Sequence, residues 1–262
     1  MENEKLSLFT RFKRLIPNNI KQEGKYLLLR LLKIKYSRSN APLEVLKWLP
    51  KNNPITFLDI GASIGSFSAC ISEEYKIKKG ILIEPVTRLI PILEKTFPDK
   101  DTFSIINAAV SDSVAEADFY FNEDADFVSS LLRIDNKGEG FAYLNFEDPV
   151  LTRTKTLTLD HIVNEQKLLH IDLIKIDVQG AEHLVLKGGI NTLKITKLVF
   201  TEFSYRQLYE NSSTFFDLYK IFYENNFVLV HVRSGYASQN GELLQGDALF
   251  VNKSMMDEKI TT

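Results

Sequence analysis

From Asn53 onward the chain alternates two hydrophobic rhythms. Short continuous apolar runs read as strands buried on both faces: Ile55–Asp59, Gly80–Glu84, Phe103–Val110, Asp172–Asp177 and Lys197–Phe203. Between them lie stretches with helical spacing: Gly65–Glu74, Thr87–Thr96, Ala181–Lys187 and Thr214–Asn225. Strands that alternate with helices predict an α/β fold with a parallel sheet covered on both faces. Phe227–Arg233 and Ala248–Asn252 read as a closing antiparallel pair. Ala117–Phe121 fits a short edge strand, and Thr152–Leu159 a half-exposed strand. Asn122–Glu147 is polar and lacks either rhythm, as expected of a lid, a binding loop or an insert.

Residues 1–50 are different in kind. Within residues 1–40, Lys5, Arg11, Lys13, Arg14, Lys21, Lys25, Arg30, Lys33, Lys35 and Arg38 face only Glu2, Glu4 and Glu23. Leu8, Phe9, Phe12, Leu15 and Ile16, then Leu27, Leu28, Leu31 and Leu32, recur at helical spacing, with Pro17 between the two groups. The segment reads first as a basic helical extension that caps the following domain. A weak peripheral contact with an anionic membrane surface is the alternative. The domain proper is expected over residues 51–253, with a tail over 254–262.

Composition narrows the classes. The net charge of -2 argues against a nucleic-acid partner. The single cysteine, Cys70, excludes an intrachain disulfide and suits a reducing, cytoplasmic compartment. Glu2 and Glu4 stand where a secretory leader carries basic residues, and no run is long enough to span a membrane. Oligomerisation stays open, and the sequence shows no metal-ligand spacing.

The candidate chemistry sits at strand ends. In Thr56–Ser68 (TFLDIGASIGSFS) an apolar strand ends at Asp59 and a turn with Gly61 and Gly65 feeds a helix. Such a turn lets a ligand approach bare backbone beside free N–H groups. It is not the G-x-G-x-x-G spacing of dinucleotide folds. Glu84, roughly 20 residues on, ends the next strand, where a carboxylate accepts hydrogen bonds from a ribose diol. Asp177 and Glu202 end two further apolar strands, and Asn107 and Asp112 flank the alanine pair of NAAVSD.

With FLDIGASIG, LIEP, NAAVSD, TLTLDHIV and LIKIDVQGAEHLVLKGG in this order, the chain resembles S-adenosylmethionine-dependent methyltransferases of the FkbM type from Phe57 to Phe250. The resemblance implies a Rossmann-like class I methyltransferase fold, with a seven-stranded, mostly parallel sheet and an antiparallel last strand. It implies that Asp59, Gly61, Ala62, Ser63 and Gly65 hold the methionine end of the cofactor. Glu84 and Pro85 would hold the ribose, with Asn107, Ala109 and Asp112 around the adenine, and Asp177 and Glu182 beside the transferred methyl. Two positions depart from the family: Ser63 replaces a common Asn, and Gln179 replaces a common Glu.

Methyl transfer to a hydroxyl needs alignment and a base. Asp177, His183, His161 and Glu202 are the candidates. The expected activity is O-methyl transfer from S-adenosylmethionine to a sugar, glycan-like or secondary-metabolite hydroxyl, releasing S-adenosylhomocysteine. An NAD-dependent oxidoreductase and a cofactor-binding but non-catalytic partner protein are the alternatives.

Overall fold

The computed structural model describes residues 43–49, 52–122, 128–135, 149–238 and 240–256. The expected basic helices before residue 43 and the end of the tail lie outside these residues, as do parts of the Asn122–Glu147 stretch. Among the described residues no helix is long and apolar enough to cross a membrane.

In chain order the elements are α1 (Leu43–Trp48), β1 (Ile55–Ile60), α2 (Ser66–Glu74), β2 (Ile77–Ile83), a 3-10 turn (Thr87–Leu89) and α3 (Ile90–Thr96). There follow β3 (Phe103–Ile106), β4 (Ala109–Ser111), β5 (Ala115–Phe121), β6 (Val150–Thr158), α4 (Leu159–Glu165) and β7 (Ile171–Ile176). The chain ends with α5 (Glu182–Lys187), α6 (Ile190–Lys194), β8 (Thr196–Ser204), α7 (Phe215–Glu224), β9 (Phe227–Ser234) and β10 (Gln245–Asn252).

Seven strands form one sheet in the order β3-β2-β1-β7-β8-β10-β9. β10 runs antiparallel to both its neighbours, and the other pairings are parallel. This is the expected Rossmann-like sheet with an antiparallel last strand. Alternation of side chains along each strand divides the core into two layers. Leu58, Ile60, Ile174, Ile176, Val199 and Phe250 point to one face, where Ile162, Val185 and Phe222 of α4, α5 and α7 cover them. Ile55, Phe57, Leu173, Leu198 and Leu249 point to the other, under Val45, Phe67, Ile71 and Leu93. Both faces are therefore dry, which is why these strands read as unbroken apolar runs.

One expectation needs correction. Phe103–Val110 is not a single strand. It leaves the large sheet after Ile106, and β4 joins a second sheet of order β4-β6-β5. Neither Gly nor Pro marks the break, so the apolar run gave no sign of it. The short helix α6 was not apparent either, because Gly188 and Gly189 read as a helix end. β5 is an edge strand as expected.

The large sheet winds outward from β1 through β2 to β3, then returns to β7 on the other side of β1. Ligands of open α/β sheets bind at such a reversal, past the carboxyl ends of the strands. The chain ends β1 with Gly61 at φ +74°. A Cβ there would lie 1.9 Å from the backbone oxygen of Asp177. Only glycine lets the β1 turn and the end of β7 approach so closely. Gly61→Ala is expected to cost ~3 kcal/mol or more, from strain at a left-handed position plus a backbone clash. Urea unfolding read by circular dichroism would show it as a lower midpoint.

Candidate active site

The reversal point opens into a cleft. Gly61 and Ser63 of the β1 turn line it, with Glu84, Pro85 and Val86 after β2. Ala108, Ala109 and Val110 at β4 and Phe119 of β5 form an apolar wall. Asp177, Val178 and Gln179 after β7 form the opposite side. Ser129 and Leu131 also line it, so part of the polar Asn122–Glu147 stretch is a wall of the cleft. Ser130 anchors that wall by donating from Oγ to the backbone oxygens of Val178 and Gln179, at 3.3 and 2.8 Å.

Glu84 joins the two loops on its side. Its Oε2 accepts from the Ser63 N–H and its Oε1 from the Val86 N–H, both at 2.8 Å. Burial pushes its carboxyl up to about 6, although both backbone donors favour the ionised form. Each oxygen accepts one N–H in these bonds, and a carboxylate oxygen has acceptor capacity for a second donor.

Beneath the turn sits Lys175, the next-to-last residue of β7. Its ammonium donates to the Gly61 oxygen at 2.6 Å, faces Asp59 Oδ1 at 3.2 Å, and lies 3.6 Å from Asp177 Oδ2. Burial alone would favour neutral lysine, but the Asp59 and Asp177 carboxylates outweigh it and hold the group above its ordinary value. Asp59 is fully buried; its other oxygen accepts from Ser68 Oγ at 2.6 Å.

The acids after β7 and β8 form a second group. Gln179 Nε2 donates to Asp177 Oδ1 at 2.8 Å and to Glu202 Oε2 at 2.9 Å. Gln245 Nε2 donates to the same Glu202 oxygen at 3.2 Å. Burial, with Asp177 and Glu182 nearby, pushes Glu202 well above the usual carboxylate range. Glu182 accepts the Val178 and Gly180 N–H groups, and burial pushes it up to about 7.

Gly61, Ser63, Glu84, Pro85, Ala109 and Asp177 therefore meet in the cleft as the sequence suggested. The other expected site residues do not line it. Asp59, Ala62 and Gly65 build the turn from below: Ala62 is buried in the core, and a Cβ on Gly65 would lie 2.6 Å from the Phe97 ring. Asn107 braces the neighbouring loop, donating to the Glu84 and Pro85 oxygens. Asp112 is exposed past the end of β4, because the chain has already turned into the second sheet. Glu202 reaches the cleft only through Gln179.

His161 and His183 are corrections. His161 is exposed on α4, and its backbone N–H donates to Thr158 Oγ1 in the helix cap. His183 lies on α5 outside the cleft lining; burial and then Lys187 lower its pKa, keeping it neutral. Lys175 was missed, and its signal was present: a lysine inside the otherwise apolar run DLIKID needs a buried partner. Lys175→Met is expected to destabilise by ~3–5 kcal/mol, since it leaves Asp59 charged and fully buried. Asp59→Asn in the same chain should recover part of that loss in a denaturation series.

Residues 59–229 match the Methyltransferase FkbM domain. Over 173 residues the chain is 30% identical to the 2-O-methyltransferase NoeI of Sinorhizobium fredii (strain NBRC 101917 / NGR234), covering 64% of this chain and 70% of that protein. Among solved structures it is similar to the methyltransferase FkbM of Methylobacillus flagellatus KT. The TM-score is 0.46 at 15% identity, over 74% of this chain and 43% of that one. It is also similar to the magnesium protoporphyrin IX methyltransferase of Synechocystis PCC 6803 with bound SAM. There the TM-score is 0.46 at 8% identity, over 92% and 96% of the two chains. The domain match starts at Asp59 and takes in every strand end that builds the cleft, so the chain belongs to the FkbM family of methyltransferases.

Proposed function

We propose that this enzyme is an S-adenosylmethionine-dependent O-methyltransferase acting on a hydroxyl of a sugar or glycan-like acceptor. One observation carries the reading: two carboxylates, Glu84 and Asp177, line one cleft at the reversal point, on either side of the Gly61 turn. The similarity to a 2-O-methyltransferase supports hydroxyl oxygen as the acceptor atom.

The residues present fit the cofactor. Gly61 leaves backbone where a Cβ would block the turn. Glu84 is anchored by two N–H donors and suits a ribose diol, while Ala108–Val110, Phe119 and Leu131 suit a flat, apolar base. When bound, S-adenosylmethionine supplies an electrophilic methyl group and leaves as the neutral thioether S-adenosylhomocysteine. Asp177 is the lining carboxylate on the β7 side. Its Oδ1 is held by Gln179, and its Oδ2 has the longer contact with Lys175. With the methyl donor bound, Asp177 Oδ2 would be the group that takes the acceptor hydroxyl's proton. Holding the acceptor in line accounts for much of the rate. Ser129 and Leu131, on the anchored segment, help to exclude water.

Glu84 makes the test pH-dependent. A carboxyl raised to about 6 is ionised at pH 8 and mostly protonated at pH 5. Protonation removes acceptor capacity toward the ribose hydroxyls, so affinity should fall as pH drops through about 6. Titration calorimetry with S-adenosylmethionine and S-adenosylhomocysteine is expected to give micromolar binding at pH 8. Glu84→Ala should weaken it by about tenfold or more, the loss of ~1.4 kcal/mol of charge-assisted hydrogen bonding. Glu84→Gln should remove the pH-dependent step. Full-strength binding by Glu84→Ala would end the ribose assignment.

A further inference from the structure

Gln179 is held in place from three directions. Its backbone lies in the left-handed region, at φ +58°. Its carbonyl oxygen accepts from Ser130 Oγ at 2.8 Å. Its side-chain Oε1 accepts from the Tyr209 hydroxyl at 3.0 Å. Tyr209 is fully buried, and burial raises its pKa, so the phenol keeps its proton and remains a donor. With Oε1 occupied, the amide orientation is determined: Nε2 points to Asp177 Oδ1 and Glu202 Oε2.

We propose that Gln179 is a positioning residue for Asp177, a carboxamide hub that is fixed by Tyr209 and ties the acid in the cleft to the acid behind it. The inference rests on the reading of Asp177 as the group that faces the acceptor. An amide nitrogen has two hydrogens, and here each meets one carboxyl. Glutamate at this position would put an acceptor where both donors now stand. Three carboxyl groups would then share one site, within hydrogen-bond distance of one another, and at least one would have to bind a proton. Gln179 is thus matched to a site in which Asp177 and Glu202 come together, not a glutamate that has lost its chemistry.

The other charged and titratable groups around the hub are Lys175 on β7, Glu182 on α5, and Asp247 on β10, which pairs with Arg233 of β9. Lys175 already has Asp59 and the Gly61 oxygen as partners, and Arg233 is held by Asp247. Neither cation is thereby matched to a third carboxylate at residue 179.

The test compares the full chain with Gln179→Glu and Gln179→Leu. Melting temperature is followed from pH 5 to pH 8, and the Glu202 carboxyl is titrated by carbon-detected NMR. Gln179→Glu is expected to be close to the parent at pH 5 and to lose stability progressively as pH rises, since its folded state retains a proton that the unfolded chain releases. In Gln179→Leu the Glu202 titration should move to higher pH, because a donor to its charged form is gone. A role in packing alone would lower the melting temperature equally at every pH and leave the Glu202 titration in place. That result would overturn the proposal. If Gln179→Glu does not fold at any pH, the Glu202 titration in Gln179→Leu decides. These readouts need neither cofactor nor acceptor. Absent S-adenosylhomocysteine binding by the parent would count against the proposed function, while an unmoved Glu202 titration with intact binding would count against the hub alone.

Discussion

The site depends on one buried cation. Lys175 stands buried in a mostly apolar strand, opposite Asp59 of β1, and an ammonium in such a place is tolerated only when it is paired. Asp59, the Gly61 oxygen and Asp177 supply the partners. Asp59 lies at the end of β1, Gly61 in the turn that follows, and Asp177 in the loop after β7. The same ion that satisfies a buried aspartate therefore fixes the relative height of the two loops between which a ligand must fit. Gly61 is the steric counterpart, since the contact with the β7 backbone leaves no room for a side chain.

Around that centre the carboxyl groups differ by environment. Glu84 receives two backbone donors and is buried at the cleft wall. Asp177 is partly exposed and shares both its oxygens with Lys175 and Gln179. Glu202 and Glu182 lie behind, where burial favours their protonated forms. Four carboxyl groups are thus separated into one anchored at the cleft wall, one that lines the cleft and a buried supporting pair. Hydrogen bonds from Gln179 to Glu202, from Tyr209 to Gln179 and from Ser130 to the Gln179 oxygen connect Glu202 to the segment that forms the wall.

The large sheet is legible because its strands are buried on both faces, so ITFLDI and DLIKID stand out as apolar runs that lead into glycine-containing turns. The strand ends then located Gly61, Ser63, Glu84 and Asp177 in one place, since the topology of an α/β sheet brings carboxyl ends together. The second sheet was not legible. FSIINAAVS carries no turn residue where the chain changes sheets, and the strands β5 and β6 are half exposed. That hidden change is also why Asp112 was placed in the cleft. His161 and His183 follow LTLD and Asp177 in the chain, but a helix position after the right strand says nothing about which face it presents. A lysine inside the run DLIKID is a local signal of a buried partner, but that partner, Asp59, and the Tyr209 that holds Gln179 are distant in the chain, and no local pattern names them.

The most direct test of the central claim is a crystal structure of the chain with S-adenosylhomocysteine. The account predicts the ribose diol on the Glu84 carboxylate, the amino-acid end over Gly61 and Ser63, and the sulfur on the side where Asp177 lines the cleft, with Lys175 still joining the two loops. A ligand bound elsewhere, or bound in this cleft without contact to Glu84, would contradict it.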